Sequence, residues 1–361
     1  MSELRLMLEY AVTRLFGDRV TRECVEAAER GEWQGELWRA LEEGGLTRPH
    51  LPEEAGGAGG SWLEAYVIVR ASGRYTVPLP LAETVLASWL LTEAKIDVPD
   101  GPLTVVPYGV DTAALRGETI TLDAADVPWG DVATHVVVTV NAPDGIRVAL
   151  LARVAAHAVR SGQNVAREPR DGMRFVEAPL LACAQTTLTP DVVRVYGAML
   201  RSAQMAGAME ALLAQSVQYA GERIQFGRTI AKFQVIQHEL AKLAGDVAAS
   251  GAAAEAAFVA ATRCDPRFEI AVAKTRIGEA VDQATSIAHQ VHGAIGFTYE
   301  HGLHFATRRL WAWRSEFGSD AFWAEELGRA ALARGADALW PDLTARGRML
   351  RDPELGGSIG A

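Results

Sequence analysis

The sequence predicts three consecutive parts: an N-terminal all-α domain, a middle antiparallel β domain and a C-terminal four-helix bundle. Three observations predict this order. Apolar residues recur at helical spacing through residues 1–97. Short β-branched runs broken by Gly, Pro and Asp then occupy residues 98–187. Long amphipathic stretches with short connections return over residues 188–345, the pattern of an antiparallel bundle, and a tail follows at 346–361.

In the first part, Glu36-Leu37-Trp38-Arg39-Ala40-Leu41 places apolar groups on one helical face, and Gly44-Gly45 stops that helix. A glycine-rich loop follows from Leu51 to Gly60, then a helix from about Trp62 to Gly73. Val77-Pro78-Leu79-Pro80 breaks the chain, and Ala82 to Ala94 is helical again. In the second part, Leu103-Thr104-Val105-Val106-Pro107, Thr119-Ile120-Thr121-Leu122, His135 to Val140 and Arg147 to Leu151 read as strands. The third part opens at Thr189-Pro190-Asp191. Thr189 suits an N-cap, Pro190 the first helical position, and Asp191 the positive end of the helix dipole. That helix is expected to reach about Arg223, with further helices at about 231–262, 267–292 and 318–336. The Ala-rich stretch at 247–261 is helix former rather than low complexity.

Composition narrows the function. The chain has 361 residues, 22% of them charged, and a net charge of -10. That balance argues against nucleic acid as the main partner, because phosphate backbones need a basic face. Cys24, Cys183 and Cys264 lie far apart without a CxxC pair, which points to isolated thiols in a reducing cytoplasm. Glu3 and Glu9 interrupt the N-terminus where a signal peptide needs an apolar stretch. No uninterrupted apolar run reaches about 18 residues, so no membrane span is expected. His289-x-x-His292 and His301-x-x-His304 could each face one side of a helix, but no carboxylate or Cys at matching spacing completes a ligand set. No metal site is expected.

The most informative segments are three. Arg223-Ile224-Gln225-Phe226-Gly227-Arg228 sits where one helical pattern ends and the next begins. Phe233-Gln234-x-x-Gln237-His238 opens the next helix, and Gln290-x-x-Gly293-Ala294-x-Gly296-Phe297-Thr298 closes a later one. With Leu41-Glu42-Glu43-Gly44-Gly45-Leu46 and the Pro52-Glu53-Glu54-Ala55-Gly56-Gly57 segment, they resemble the acyl-CoA dehydrogenase family over essentially the whole chain. The resemblance implies the acyl-CoA dehydrogenase fold, an FAD cofactor held between two subunits, and α,β-desaturation of a CoA thioester. It implies that Arg223 donates to the FAD pyrophosphate, where a guanidinium offers two parallel hydrogen bonds. Phe226 would pack on the adenine end. Gln225 stands where the family often has a hydroxyl, and Gln234 and Gln290 would reach polar atoms of the cofactor. Gly293 would let backbone approach the dinucleotide, and Ala294 replaces a second family glycine.

Two departures stand out. The family's catalytic base is a Glu in one of two places. Counting back from Tyr219 to the first place reaches Gly197, flanked by Tyr196 and Ala198. At the second place the chain reads Trp313-Arg314-Ser315-Glu316-Phe317-Gly318-Ser319-Asp320. Ungapped counting puts Phe317 at the base position, and a slip of one residue puts Glu316 there. The flavin-ring segments of the β domain are also altered: Val105 to Asp111 and Val127-Pro128-Trp129-Gly130-Asp131 keep only Trp129 of the family pattern. This asymmetry resembles the base-lacking subunit of heterotetrameric acyl-CoA dehydrogenases that act on steroid side chains. It implies a homologous base-bearing chain in an α2β2 complex, a bulky CoA thioester such as a steroid, and an electron-transfer partner. A self-sufficient homo-oligomer using Glu316 and a non-catalytic acyl-CoA binder are the alternatives.

Overall fold

The structure is a computed structural model that describes residues 3–51, 57, 59–143 and 145–349. Residues 52–56 and 58 of the expected glycine-rich loop, and residues 350–361 of the expected tail, lie outside the described residues. The chain groups into two compact units, Met1–Val69 with Val77–Gly197, and Arg70–Thr76 with Ala198–Ala361.

The first unit begins with helices α1 (Glu3–Arg19), α2 (Arg22–Glu29), α3 (Gly35–Glu43), α4 (Trp62–Arg74) and α5 (Leu81–Glu93). Thr21 caps α2 by accepting the Cys24 amide. Every residue of α5 from Leu81 to Leu91 is buried, as expected for a helix that is apolar all round. Its Thr84 hydroxyl exchanges hydrogen bonds with the Leu103 backbone, tying α5 to the first strand. Residues 1–69 and 77–97 group with the strands that follow in one compact unit.

The strands are β1 (Leu103–Val105), β2 (Val110–Asp111), β3 (Leu115–Arg116), β4 (Thr119–Pro128), β5 (His135–Ala142), β6 (Gly145–Ala152), β7 (Ala158–Arg160), β8 (Arg170–Pro179) and β9 (Ala182–Thr186). They form two sheets. One runs β1-β5-β6-β9, with β2 also on β5; the other runs β3-β4-β8-β7. Val106, Ile120, Leu122, Val136, Val138, Leu151, Met173 and Phe175 belong to a buried cluster drawn from both sheets. Along β4, Ile120, Leu122 and Ala124 alternate inward until a register shift between Ala124 and Val127.

The expectation of an antiparallel β domain needs a correction. β1 and β2 pair with β5 in parallel, Leu103 opposite His135 and Val110 opposite Val140. The reason is connectivity. β3 and β4 lie in the other sheet, so the chain makes the long crossover that parallel pairing requires. β8 and β9 also escaped the sequence reading, because polar Arg170, Asp171, Arg174 and Gln185 interrupt their apolar alternation.

Helix α6 (Val192–Glu222) begins in the first unit and continues in the second. Thr189 does not cap it by its hydroxyl; that group donates to Asp191, whose carboxylate also takes Arg194. A hairpin, β10 (Ile224–Gln225) with β11 (Arg228–Thr229), follows. Then come α7 (Gln234–Ala261), α8 (Arg267–His292), α9 (Leu303–Ser315), α10 (Asp320–Arg334) and α11 (Ala336–Met349). The first three expected bundle helices match α6, α7 and α8; α9 and α11 are additional, and α11 runs past residue 345.

In the second unit, the end of α4 and α6 pass backbone to backbone. A Cβ on Gly207 would stand 2.0 Å from the Arg70 carbonyl oxygen, and one on Gly73 would stand 1.9 Å from that of Gln204. Glu210 adds ion pairs to Arg70 at 2.9 Å and Arg74 at 3.1 Å. Gly207→Ala is expected to destabilise the protein by about 1–3 kcal/mol, because neither backbone can yield. Urea denaturation checks this; an unchanged midpoint would show that the helices separate freely.

By length and composition alone α7 is long and apolar enough to cross a membrane, with mean hydropathy 1.3 in its most apolar window, a property that core helices also have. Its alanines, with Leu243, Val247, Phe258 and Val259, supply that hydropathy. The helix also carries Asp246, ion-paired to Arg276 of α8. Only 33% of the window is buried inside this chain, which leaves a long Ala-rich face open.

Candidate functional site

The sequence-expected cofactor residues all fall in the second unit, at the two ends of one surface. The first end is the β10–β11 hairpin. Its two-residue loop, Phe226-Gly227, has φ values of 52° and 79°, the left-handed pair of a type I′ turn. Asn or Gly adopts this without cost, whereas Phe does so under strain. Phe226, at the tip of the turn, is 90% exposed. Phe233 buttresses the loop, with its ring 6.2 Å from that of Phe226 and the Arg228 guanidinium 4.3 Å above it.

Arg223 sits at the root of this hairpin. Its amide donates to Tyr219 and its carbonyl accepts from Ile230, so its backbone is fixed while its side chain is exposed. Gln225 is exposed on β10, and Gln234 is exposed at the first position of α7.

The second end is the C-terminus of α8. Gln290, Gly293 and Ala294 are all exposed. Gly293 ends the helix at φ 63° and ψ -143°, and nothing lies within 4 Å of where a Cβ would be. A side chain is excluded there by conformation and not by crowding, so the bare peptide is open to a ligand.

An aromatic stack joins the two ends. Tyr219, one turn before Arg223, lies on His292 at 4.7 Å, and His292 meets His301 at 4.6 Å. His292 Nδ1 bonds to the Ala288 carbonyl, and burial lowers its pKa, so the ring packs as a neutral aromatic. His289 stacks on Phe297 at 4.3 Å and also loses basicity through burial. Among the described residues no group of three His, Cys, Asp or Glu could hold a metal ion. The paired histidines serve as stacked rings instead, a role that their helical spacing did not announce.

These groups fit the tail of a dinucleotide: an exposed guanidinium, amide side chains, a projecting ring and an open glycine peptide on one face. The fit fails at the flavin-ring segments of the first unit. Trp129 is only 7% exposed and closes a turn, its amide donating to Pro169. The Asp131 carboxylate is ion-paired to Arg153, and its amide donates to Asp171. Val105 and Val106 are fully buried. These residues are already committed to the fold.

The base positions are equally committed. Gly197 is buried beside Tyr196, which stacks on Trp89 at 4.1 Å and meets Trp62 at 5.3 Å. Glu316 follows the last residue of α9, and its carboxylate accepts from Arg201 Nε at 2.7 Å. The Arg201 side chain is 3% exposed and that of Glu316 18%, so the pair is largely desolvated. A carboxylate held this way answers a buried cation. Phe317, the other counted position, lies 5.6 Å beneath the Arg201 guanidinium.

Sequence reasoning missed Arg201 and Lys274. Lys274 is fully buried on α8 and donates to the Trp313 and Arg314 carbonyls. One signal was present: Ile270, Lys274 and Ile277 share the buried face of α8, and a lysine at such a position needs a partner.

Residues 2–94 match the acyl-CoA dehydrogenase N-terminal domain, and residues 195–332 match the acyl-CoA dehydrogenase C-terminal domain. Acyl-CoA dehydrogenase IpdE2 of Mycobacterium tuberculosis is 33% identical over 313 residues, which cover 85% of this chain and 91% of that protein. The ChsE4-ChsE5 complex from the same organism has a similar fold, with TM-score 0.82 and 22% identity over 93% of this chain and 99% of the other. The Tcur3481-Tcur3483 steroid ACAD gives TM-score 0.80 and 23% identity over 90% and 96%. Butyryl-CoA dehydrogenase of Megasphaera elsdenii gives 0.81 and 18% over 92% and 99%. Matched at both ends by the family's domains and over most of its length by a relative one-third identical, the chain belongs to the acyl-CoA dehydrogenase family, FAD-dependent oxidoreductases of acyl-CoA thioesters.

Proposed function

We propose that this chain is the base-lacking subunit of a heteromeric acyl-CoA dehydrogenase. It clasps the dinucleotide tail of an FAD whose ring is seated in a homologous, base-bearing chain. The observation that carries the reading is an asymmetry. Arg223, Gln225, Phe226, Gln234, Gln290, Gly293 and Ala294 stand open to a ligand, while Glu316 is bound to Arg201 and Trp129 is buried.

Bound FAD supplies the acceptor for the substrate β-hydride. This chain's residues bind and orient. Arg223 would hold the pyrophosphate, as a guanidinium suits a phosphate. Phe226 would cover the adenine end and exclude water. Gln234 and Gln290 would satisfy polar atoms of the tail, and the Gly293–Ala294 peptide would lie open to it. The α-proton is taken by a carboxylate of the other chain.

An α2β2 assembly fits the open face of α7, and similarity to the two-chain ChsE4-ChsE5 and Tcur3481-Tcur3483 proteins supports it. The second of these is described as a steroid ACAD, so the substrate class is a bulky CoA thioester such as a steroid with a shortened side chain. A separate electron-transfer partner would serve as the electron acceptor of the complex. Cys24, Cys183 and Cys264 are all free thiols, in keeping with a reducing cytoplasm.

The test is an absorbance spectrum of the purified chain, with and without a co-expressed homologue that carries the base. The expected result is a colourless, inactive chain alone and a yellow, acceptor-reducing complex. A fully flavin-loaded homo-oligomer that oxidises acyl-CoA would overturn the proposal.

A further inference from the structure

We propose that a notch walled by His289, Phe297 and Trp311 is a socket for one tyrosine side chain of the companion, base-bearing chain. The inference rests on the two-chain reading and adds a specific anchor to it. The notch is a cavity of about 210 Å³ between the end of α8, the turn that follows it and α9. The His289 ring lies nearly parallel to that of Phe297 at 4.3 Å and to that of Trp311 at 6.2 Å. Tyr299, His304 and Arg308 also line it. Phe297, Tyr299 and Trp311 are all exposed, and aromatic residues gathered in the open round a hollow mark a protein interface. Size points the same way. Pockets for small molecules run to about 300–1,000 Å³, so this one falls short of a free ligand and suits one large side chain.

An unbonded imidazole specifies the occupant. Nδ1 and Nε2 of His289 are both buried, and neither has a hydrogen-bond partner among the described residues. Buried polar atoms are nearly always paired, and leaving one bare costs stability. Burial lowers the pKa of His289 and keeps the ring neutral, so one nitrogen donates and the other accepts. A phenolic hydroxyl both donates and accepts, and so answers either nitrogen, whereas a phenylalanine ring would leave both bare. The Arg308 guanidinium opposes a lysine or arginine, and among the described residues no carboxylate lines the notch to attract one. Aromatic walls favour a flat ring over a carboxylate. Position names the companion as the source. Gln290, Gly293 and Ala294, proposed for the cofactor tail, lie exposed between His289 and Phe297 in the chain. A subunit that seats a flavin against this stretch would cover the notch as well.

Ligand-observed NMR of the full chain with p-cresol, toluene and benzylamine tests the socket. p-Cresol should bind about two- to tenfold more tightly than toluene, the effect of one hydrogen bond, and benzylamine more weakly than either. His289→Phe, which keeps a stacked ring, should erase the preference for p-cresol. In the co-expressed complex, Trp311→Ala should weaken subunit association about 30-fold or more by sedimentation, as expected for a wall of a central aromatic anchor site. Equal binding of p-cresol and toluene, preference for benzylamine, or a Trp311→Ala complex as tight as the wild type would each overturn the socket while a yellow, active two-chain complex still formed. A chain that is flavin-loaded and active by itself would overturn the two-chain reading and the socket together.

Discussion

Arg223→Ala is expected to release FAD from the assembled enzyme without disturbing the fold of this chain. Its side chain is exposed and its backbone is fixed by the hairpin, so truncation should change stability by no more than about 0.5 kcal/mol. On the proposed reading the same guanidinium would meet a desolvated pyrophosphate in the complex. Removing one partner of such a charge-assisted contact should weaken FAD retention by roughly 30- to 1,000-fold. Arg223→Lys should recover only part of the loss, because a point charge cannot reproduce the planar fork. The flavin-to-protein ratio of the co-expressed complex after gel filtration measures both variants. Undiminished flavin with Arg223→Ala would remove the residue from the cofactor site.

Glu316→Ala should give the second large effect, on folding rather than on chemistry. It leaves the Arg201 guanidinium buried without its carboxylate and removes an attraction on Lys274. Breaking a buried pair from one side costs about 3–5 kcal/mol, and the partial exposure of Glu316 places this site at the lower end. Replacing Arg201 by Met as well should restore much of the loss, because no lone charge then remains in the interior. Urea midpoints of the two variants test this. If Glu316→Gln instead kept full stability and flavin but lost all turnover, Glu316 would be the base and the chain self-sufficient.

Much of the architecture was legible because periodicity reports burial directly. Ala82 to Ala94, the strand at His135 and the helix over 267–292 all appear near their expected positions. The parallel pairing of β1 with β5 was not legible. A three-residue apolar strand carries no record of direction, which the chain fixes only through its later crossover. The exposed face proposed for the cofactor was readable as motifs, because Arg, Phe-Gly and Gly at fixed spacings are chemically distinctive. What the motifs could not show is that Tyr219 and His292 splice the two ends through stacked rings. Nor could spacing show that Glu316 pairs with a buried cation. That depended on Arg201, which lies far away in sequence and meets Glu316 only after α6 and α9 have packed.

The open Ala-rich side of α7 has a consequence for the cell. A subunit that covers this side only by docking owes part of its apparent stability to mass action, rising with the concentration of its companion. Made in excess, the surplus would be the first material cleared by proteases. On the proposed two-chain assembly, balanced synthesis of the two polypeptides would be a condition for either to accumulate.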